Sequence, residues 1–182
     1  MKATETKLKG CFILEPTVFE DSRGYFFESY NENKIEEILG YKPTFVQDNQ
    51  SKSSYGVVRG LHMQAGEHAQ AKLVRVVEGA VIDVAVDVRP GSETYGQSVA
   101  VELSADNKRQ LFIPRGFLHG FSVISDSATF FYKCDNGYNK SSEDGVNPLD
   151  KEIGIDWGVP SEKMIISDKD QEAQSFQSFQ TK

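Results

Sequence analysis

The middle of the chain carries a regular alternation of side chains. Residues 81–89 divide by parity into two sets, with Ile82, Val84, Val86 and Val88 in one and Val81, Asp83, Ala85, Asp87 and Arg89 in the other. Side chains of a β-strand point alternately to opposite faces of the sheet, so a period of two is typical of a strand. This segment is therefore predicted to be a strand whose two faces meet unlike surroundings.

Short apolar runs separated by turn residues predict further strands around this one. They cover residues 57–64, 72–78, 98–103, 110–113, 120–124 and 128–133. Glu78 and Gly79 lie between two of these runs, and we expect them to close a β-hairpin. Many short strands at regular intervals favour an antiparallel sandwich or barrel.

Helical signals are few. Residues 31–39 predict one short helix, which Asn31 is suited to cap and Gly40 is suited to end. A second short helix is predicted to begin near Ser167 or Asp168. The chain is therefore expected to be dominated by strands.

Two histidines lie close after glycines in or next to predicted strands, His62 within the strand at 57–64 and His119 after a Pro/Gly turn. His62 lies two residues after a glycine, and His119 follows the turn at residues 114–116. Small jelly rolls of the cupin type have this arrangement, and their barrel interior is a ready cavity. We predict an all-β fold, a cupin-type antiparallel β-jelly roll with a few short helices. It forms a single domain over residues 1–182, with a polar C-terminal tail from about residue 171.

Charge narrows the choice of ligand. The chain holds 20 Lys and Arg residues against 27 Asp and Glu residues, a formal net charge of −7. Proteins that bind nucleic acids are more often basic, so this class is set aside. Residues 47–75 nevertheless hold four basic residues against two acidic ones. A local basic patch of this kind fits a small anionic ligand, although a set of solvated strand ends would give the same pattern.

No segment indicates export or a membrane span. The N-terminal residues lack the apolar core of a signal peptide, and no run approaches the ~20 apolar residues of a membrane helix. Cys11 and Cys134 form no paired framework, and we expect two reduced thiols. The expected location is the cytoplasm, without a membrane partner.

The histidines do not show a metal-binding pattern. A metal-binding cupin offers two histidines separated by one residue, but Gln64 stands two positions after His62 and His68 falls in a predicted loop. A zinc or iron site needs three or four well-placed N, O or S ligands. No metal site is predicted, although the fold could still bring His62, His119 and a carboxylate together.

Proton transfer fits these residue types better. An imidazole with an unperturbed pKa near ~6.5 can remove a proton from a carbon next to a carbonyl. His62 could act in this way, with Lys72 and Tyr132 on other predicted strands as enolate stabiliser and opposing acid. A single buried histidine or tyrosine is more often a packed core residue, so residue types alone leave both interpretations open.

Six segments give a more specific signal. They are FEDSRGYFFESY (19–30), FVQDNQSKSSYGVVRGLHMQ (45–64), QAKLVRVVEGAVIDVAVDVR (70–89), YGQSVAVELSADNKRQLFIPRGFLHGF (95–121), FYKCDNGYNKSSEDGV (131–146) and ISDKD (166–170). In this order and spacing they resemble the dTDP-4-dehydrorhamnose 3,5-epimerase family. The resemblance implies a jelly-roll homodimer without a metal or organic cofactor. Its substrate would be dTDP-4-dehydro-6-deoxy-D-glucose, epimerised at C3 and C5 to dTDP-4-dehydro-L-rhamnose in dTDP-L-rhamnose biosynthesis.

The resemblance also implies catalytic roles. His62 would be the base, and Asp170 would orient and polarise it. Tyr132 would be the proton donor on the opposite face of the sugar. Lys72 would sit against the C4 oxygen and stabilise the enolate.

The substrate-binding residues implied by the resemblance are Arg23, Glu28, Gln47, Asp48, Asn49, Arg59, His119, Tyr138, Glu143 and Lys169. Among them, Arg59 and Lys169 would neutralise the diphosphate, and Tyr138 would stack on the thymine ring. The N-terminal segment is expected to contribute to the site across a dimer interface.

Some positions depart from this pattern. Arg59 and His62 are three residues apart, which places them on opposite faces of an ideal strand. A β-bulge, or a diphosphate at the rim of the barrel, would reconcile them. Met63 stands where the family usually has Phe, and only a packing change is expected. Leu118 stands where a small residue is usual, and His68 is expected to be a surface residue.

Three other functions stay open at this point. The first is a relative with altered chemistry, either an epimerase of C3 or C5 alone or a ketoisomerase. The second is a jelly roll that binds nucleotide sugars or carbohydrates without catalysis, and the third is a metal-dependent cupin enzyme. Having His62, Asp170 and Tyr132 together favours the 3,5-epimerase over the isomerase and the non-catalytic protein.

Overall fold

Two facing β-sheets form the centre of the fold in the computed structural model, which describes residues 1–179. One sheet has the strand order β1 (Lys2–Glu5), β2 (Phe12–Glu15), β10 (Gln110–Ile113), β7 (Lys72–Glu78), β12 (Ser127–Cys134) and β5 (Gln47–Ser54). The other has the order β13 (Glu143–Gly145), β6 (Val57–Gln64), β11 (Phe117–Val123), β8 (Ala80–Asp87) and β9 (Ser98–Ser104). All of these strand pairs are antiparallel.

The remaining elements lie around the two sheets. Strands β3 (Val18–Asp21) and β4 (Gly24–Phe27) form a separate hairpin, and β14 (Ile165–Ile166) pairs with β6 in parallel. The helices are α1 (Glu32–Leu39), α2 (Asp168–Gln171) and the 3₁₀ turns Gly66–His68, Lys140–Ser142, Ser161–Lys163 and Phe176–Ser178. Within residues 1–179 no helix has the length and apolar character needed to cross a bilayer.

The predicted all-β jelly roll is confirmed. The inner faces of the two sheets enclose an apolar cluster that includes Val74, Val81, Leu103, Phe121 and Phe130. Burying side chains between two sheets removes apolar surface from water, which is the main driving force for this fold. The cluster fills one part of the barrel interior and leaves the rest for the cavity described below.

Strand β8 is buried on both faces. Val81 and Ala85 join the inner cluster, whereas Val84 and Val86 pack outside the barrel against a second cluster that contains Trp157. The alternation in the sequence therefore separates two apolar clusters, and most residues on both faces are buried. The outer cluster also holds the segment that leads to α2.

The predicted hairpin at Glu78 and Gly79 was wrong. Strands β7 and β8 belong to different sheets and do not pair with each other. Gly79 has a φ of 77°, a left-handed conformation that glycine adopts without steric cost, and here the chain crosses from one sheet to the other. Alternation and a turn residue define two strands and a corner, but they do not define which strands pair.

Both predicted helices are confirmed, the first with both of its predicted ends and the second with its predicted start. The Asn31 side chain accepts a hydrogen bond from the Lys34 backbone N–H at 3.2 Å, and Gly40 ends α1 with a φ of 74°. Ser167 caps α2 in the same manner. The predicted polar tail packs more closely than expected, because Phe176 and Phe179 are buried in the outer cluster. Residues 180–182 of that tail lie outside the described residues.

Candidate active site

A β-bulge in β6 brings two predicted site residues to one side of the strand. On the neighbouring strand β11, His119 pairs with His62 and Phe121 pairs with Arg59, so three steps along β6 oppose two along β11. The extra residue turns Arg59 to the same side as His62, and both line one cavity. The bulge expected from their spacing is confirmed.

The cavity lies between the sheets and has a volume of ≈ 520 Å³. Its lining combines strands of both sheets with the segment at 165–170, and comprises Ser51, Val57, Val58, Arg59, His62, Lys72, His119, Gly120, Phe121, Phe130, Tyr132, Ile165, Ile166, Ser167, Lys169 and Asp170. A few charged groups in a largely apolar concave surface are typical of small-molecule sites. No group of three or more His, Cys, Asp or Glu side chains among residues 1–179 could hold a metal ion.

His62 and Asp170 form a hydrogen-bonded pair at the cavity wall. His62 Nε2 lies 2.7 Å from Asp170 Oδ1, although the two residues are 108 positions apart in the chain. Pairing of β14 with β6 delivers α2, and with it Asp170, to this position. This contact leaves His62 Nδ1 as the ring nitrogen that can exchange a proton with a ligand.

Asp170 is held as a charged group. Only 5% of its surface is exposed, and burial alone would raise its pKa. The hydrogen bond and charge of His62, with further hydrogen bonds involving Gly60 and Ser167, more than offset this effect and lower the pKa of Asp170. A buried carboxylate in this position fixes the orientation of the imidazole and stabilises its protonated form.

Lys72 and Tyr132 meet in the same cavity. The Lys72 Nζ atom lies 5.9 Å from the centre of the Tyr132 ring. Burial lowers the pKa of Lys72 and raises that of Tyr132, so the phenol stays protonated at neutral pH. Within residues 1–179, neither Lys72 nor Arg59 forms an ion pair with a carboxylate. Both cations are therefore available to an anionic ligand.

His119 forms a second pair with a residue that sequence reasoning missed. Its Nε2 atom lies 3.0 Å from Oδ2 of Asp83, whose surface is completely buried. Burial lowers the pKa of His119, and attraction to Asp83 opposes this shift without cancelling it. The available signal was a carboxylate, Asp83, with apolar residues on both sides of it in β8.

Five more of the predicted binding residues are connected by hydrogen bonds and an ion pair. The Tyr138 hydroxyl donates to Glu143 at 3.1 Å, and Lys169 forms an ion pair with the same carboxylate. Gln47 accepts a hydrogen bond from the Tyr138 backbone N–H at 3.1 Å. Gln47 also donates to Asn49 on the inward face of β5, so these side chains form one connected polar group.

Three predicted binding residues are not brought to the cavity of the same chain. Arg23 lies at the tip of the β3–β4 hairpin with 88% of its side chain exposed, and it pairs with Asp21. Glu28 pairs with Lys34 near the start of α1. Asp48 points to the outer face of β5, where it pairs with Lys133, and thus the fold of one chain assigns these three no role in the cavity.

Known proteins match this chain over almost its full length. The family model described as dTDP-4-dehydrorhamnose 3,5-epimerase matches residues 5–178. The dTDP-4-dehydrorhamnose 3,5-epimerase of Escherichia coli (strain K12) is 54% identical over 171 residues, which cover 94% of this chain and 92% of that protein.

Solved structures agree with this match. The crystal structure of dTDP-4-dehydrorhamnose 3,5-epimerase from Elizabethkingia anophelis NUHP1 gives a TM-score of 0.94 at 60% identity, covering 97% of both chains. The crystal structure of the enzyme from Legionella pneumophila Philadelphia 1, in complex with dTDP-4-keto-L-rhamnose, gives a TM-score of 0.94 at 45% identity. The match covers 98% of this chain and 94% of that one. This chain therefore belongs to the dTDP-4-dehydrorhamnose 3,5-epimerase family and is an isomerase of the carbohydrate epimerase class.

Proposed function

We propose that this protein converts dTDP-4-dehydro-6-deoxy-D-glucose to dTDP-4-dehydro-L-rhamnose by proton transfer at C3 and C5. The observation that carries the proposal is the placement of a base and an acid on opposite walls of one cavity. His62, supported by Asp170, is on β6 of one sheet, and Tyr132 is on β12 of the other. Inversion of a carbon requires a proton to leave one face and arrive at the other, which this arrangement permits.

The first step is removal of a proton by His62. The C–H bond next to the C4 ketone breaks, its proton passes to His62 Nδ1, and its electron pair moves onto the C4 oxygen. Asp170 stabilises the imidazolium that forms. Among the residues that the structure describes, no carboxylate pairs with Lys72, and its positive charge lies where the oxyanion develops.

The second step is proton delivery by Tyr132. The enolate collapses, and the carbon takes the phenolic proton from the opposite face, so its configuration is inverted. The positive charges of Lys72 and Arg59 stabilise the phenolate that remains. Before the next inversion, solvent must carry a proton from His62 to Tyr132. The same two residues then serve the other carbon, since C3 and C5 both adjoin the C4 ketone or its enolate.

Arg59 is assigned to the diphosphate. It lines the cavity with its Nε donating to Ser53 Oγ at 3.1 Å, which aims the guanidinium without neutralising it. We expect Arg59→Ala to raise KM and the Kd for dTDP by about 10–100-fold, because a hydrogen bond to a charged group contributes ~1.5–3 kcal/mol. Calorimetry with dTDP measures the loss. A large fall in kcat at unchanged dTDP affinity would contradict this assignment.

A homodimer would give the remaining predicted residues a role. The β3–β4 hairpin exposes Phe19, Tyr25 and Phe26 by 63%, 59% and 69%, an unusual density of exposed aromatic surface on a soluble protein. Burying these rings against a second copy would place Arg23 in an intermolecular contact. We propose that the hairpin carries Arg23, with Glu28 near its base, to the nucleotide end of the partner's cavity.

Deuterium incorporation tests the proposed reaction. The purified protein is incubated in D₂O with dTDP-4-dehydro-6-deoxy-D-glucose, and the proton signals of C3 and C5 are followed by NMR. We expect deuterium at both carbons together with formation of the L-rhamno product. Exchange at one carbon alone would identify a mono-epimerase. Absence of exchange in a protein that binds dTDP would refute catalysis and support a binding protein.

A further inference from the structure

His68 connects two loops beside the cavity. One loop follows β6 and contains the 3₁₀ turn Gly66–His68, and the other follows β12 and contains the 3₁₀ turn Lys140–Ser142. His68 Nε2 lies 3.1 Å from Asn139 Nδ2, and His68 Nδ1 lies 3.0 Å from Ser142 Oγ. Both ring nitrogens are thus used to hold one loop to the other. This differs from the surface role expected for His68.

The hydrogen bonds of Asn139 determine the protonation state of His68. The Asn139 Oδ1 atom accepts from the Ser141 backbone N–H at 2.9 Å, and a backbone N–H can only donate. The amide orientation is therefore fixed, with Nδ2 directed at His68 as a donor. His68 Nε2 must then accept, so its proton lies on Nδ1, from which it can donate to Ser142. Only the neutral imidazole satisfies both contacts.

We propose that neutral His68 is a positioning residue that holds the loop at 137–143 in its ligand-binding conformation. That loop carries Tyr138 and Glu143, so the inference rests on the proposed function, in which Tyr138 stacks on the nucleotide base. Other bonds also join the loops, among them those from the Ala65 N–H to the Ser142 carbonyl at 2.7 Å and from the Asn139 N–H to Gln64 Oε1 at 2.8 Å. Loss of the His68 contacts loosens the loop without detaching it.

Protonation of His68 breaks one of these contacts. A proton on Nε2 would face the donor Nδ2 of Asn139, and two donors cannot bond to each other. The contact is complete with the neutral imidazole and lost with the imidazolium, and histidine is the side chain that changes between these two states at physiological pH. The charged neighbours are Glu67, whose Oε1 lies 3.9 Å from Nδ1, and Lys140 on the facing turn. Glu67 is 88% exposed, so solvent screens it.

The test compares dTDP affinity at pH 8 and pH 5.5 by calorimetry for the wild type and His68→Gln. A glutamine can accept from Asn139 through its Oε1 and does not titrate. We expect wild-type affinity to fall about 3–10-fold more than His68→Gln affinity between these pH values, as loss of one hydrogen bond of about 1 kcal/mol predicts. Dividing the affinity loss of the wild type by that of the variant removes the effect of titrating groups that both proteins share. Equal losses in the two proteins would overturn the role of His68.

Asn139→Asp provides an independent test of the same contact. Aspartate also caps the 3₁₀ turn, but the oxygen that faces His68 accepts a proton and favours protonated imidazole. We expect this variant to lose the additional weakening of dTDP binding at pH 5.5, with kcat at saturating substrate unchanged at pH 8. A wild-type pH dependence in this variant would contradict the inference. Failure of the wild type to bind dTDP at pH 8 would instead refute the proposed function itself, and with it the role of His68.

Discussion

His62→Ala is expected to lower kcat by about 10²–10⁴-fold, the usual contribution of a positioned general base. The substitution removes the only side chain that Asp170 Oδ1 contacts at 2.7 Å in the described residues. Without that partner, the pKa of the buried Asp170 rises, but its contacts with Gly60 and Ser167 remain to hold the carboxyl group. The fold should therefore survive the substitution.

Three measurements on His62→Ala distinguish a catalytic role of His62 from a structural one. We expect steady-state kcat to fall, dTDP affinity by calorimetry to stay within about threefold of wild type, and deuterium exchange at C3 and C5 to disappear. A circular dichroism melt verifies that the variant is folded. Retained exchange would show that another group is the base, and an unfolded variant would show that His62 is structural.

Lys72→Met is the second substitution with a large expected effect. Removing one group that stabilises an oxyanion costs about 10²–10³-fold in kcat, and methionine fills a similar volume with an apolar chain. Burial lowers the pKa of Lys72, which means that the folded state disfavours its charge. The variant is therefore expected to lose activity while its melting temperature is unchanged or higher.

Lys52→Met is the matched control for this experiment. Lys52 lies on the outer face of β5, where it forms an exposed ion pair with Glu78. Exposed ion pairs contribute little to stability, so we expect activity and melting temperature close to wild type. If Lys72→Met kept wild-type kcat, or if both lysine variants lost activity equally, the role of Lys72 in stabilising the enolate would be rejected.

The hydrophobic pattern was sufficient to predict the positions of some strands and gave no information about others. Strands β6 and β10 coincide with the predicted segments because their residues are buried or packed. Strand β5 has the sequence QDNQSKSS, which contains no apolar residue, and it was not predicted. Its inward side chains, such as Asn49 and Ser51, face the polar part of the interior. A strand that lines a polar cavity lacks the apolar stripe by which strands are recognised.

The candidate site was predictable only in part. Whether a residue has an odd or an even position along a strand indicates which face of the sheet its side chain occupies. The three-residue spacing of Arg59 and His62 left a bulge or a diphosphate at the rim as explanations, and the structure has the bulge. Asp83 was missed as the partner of His119, because their contact depends on the register between β8 and β11. Register arises from long-range pairing, which one sequence does not specify.

The burial of β8 on both faces also limits how its sequence can change over evolutionary time. Most strands in a sandwich have one face on which polar substitutions are nearly neutral, as at Asp48 and Lys52 on β5. On β8, Val84 is completely buried on the outer side and Ala85 is completely buried on the inner side. A polar or larger side chain at either position disrupts packing or leaves an unsatisfied group. Drift in this protein should therefore accumulate on the outer face of β5 and almost stop along β8.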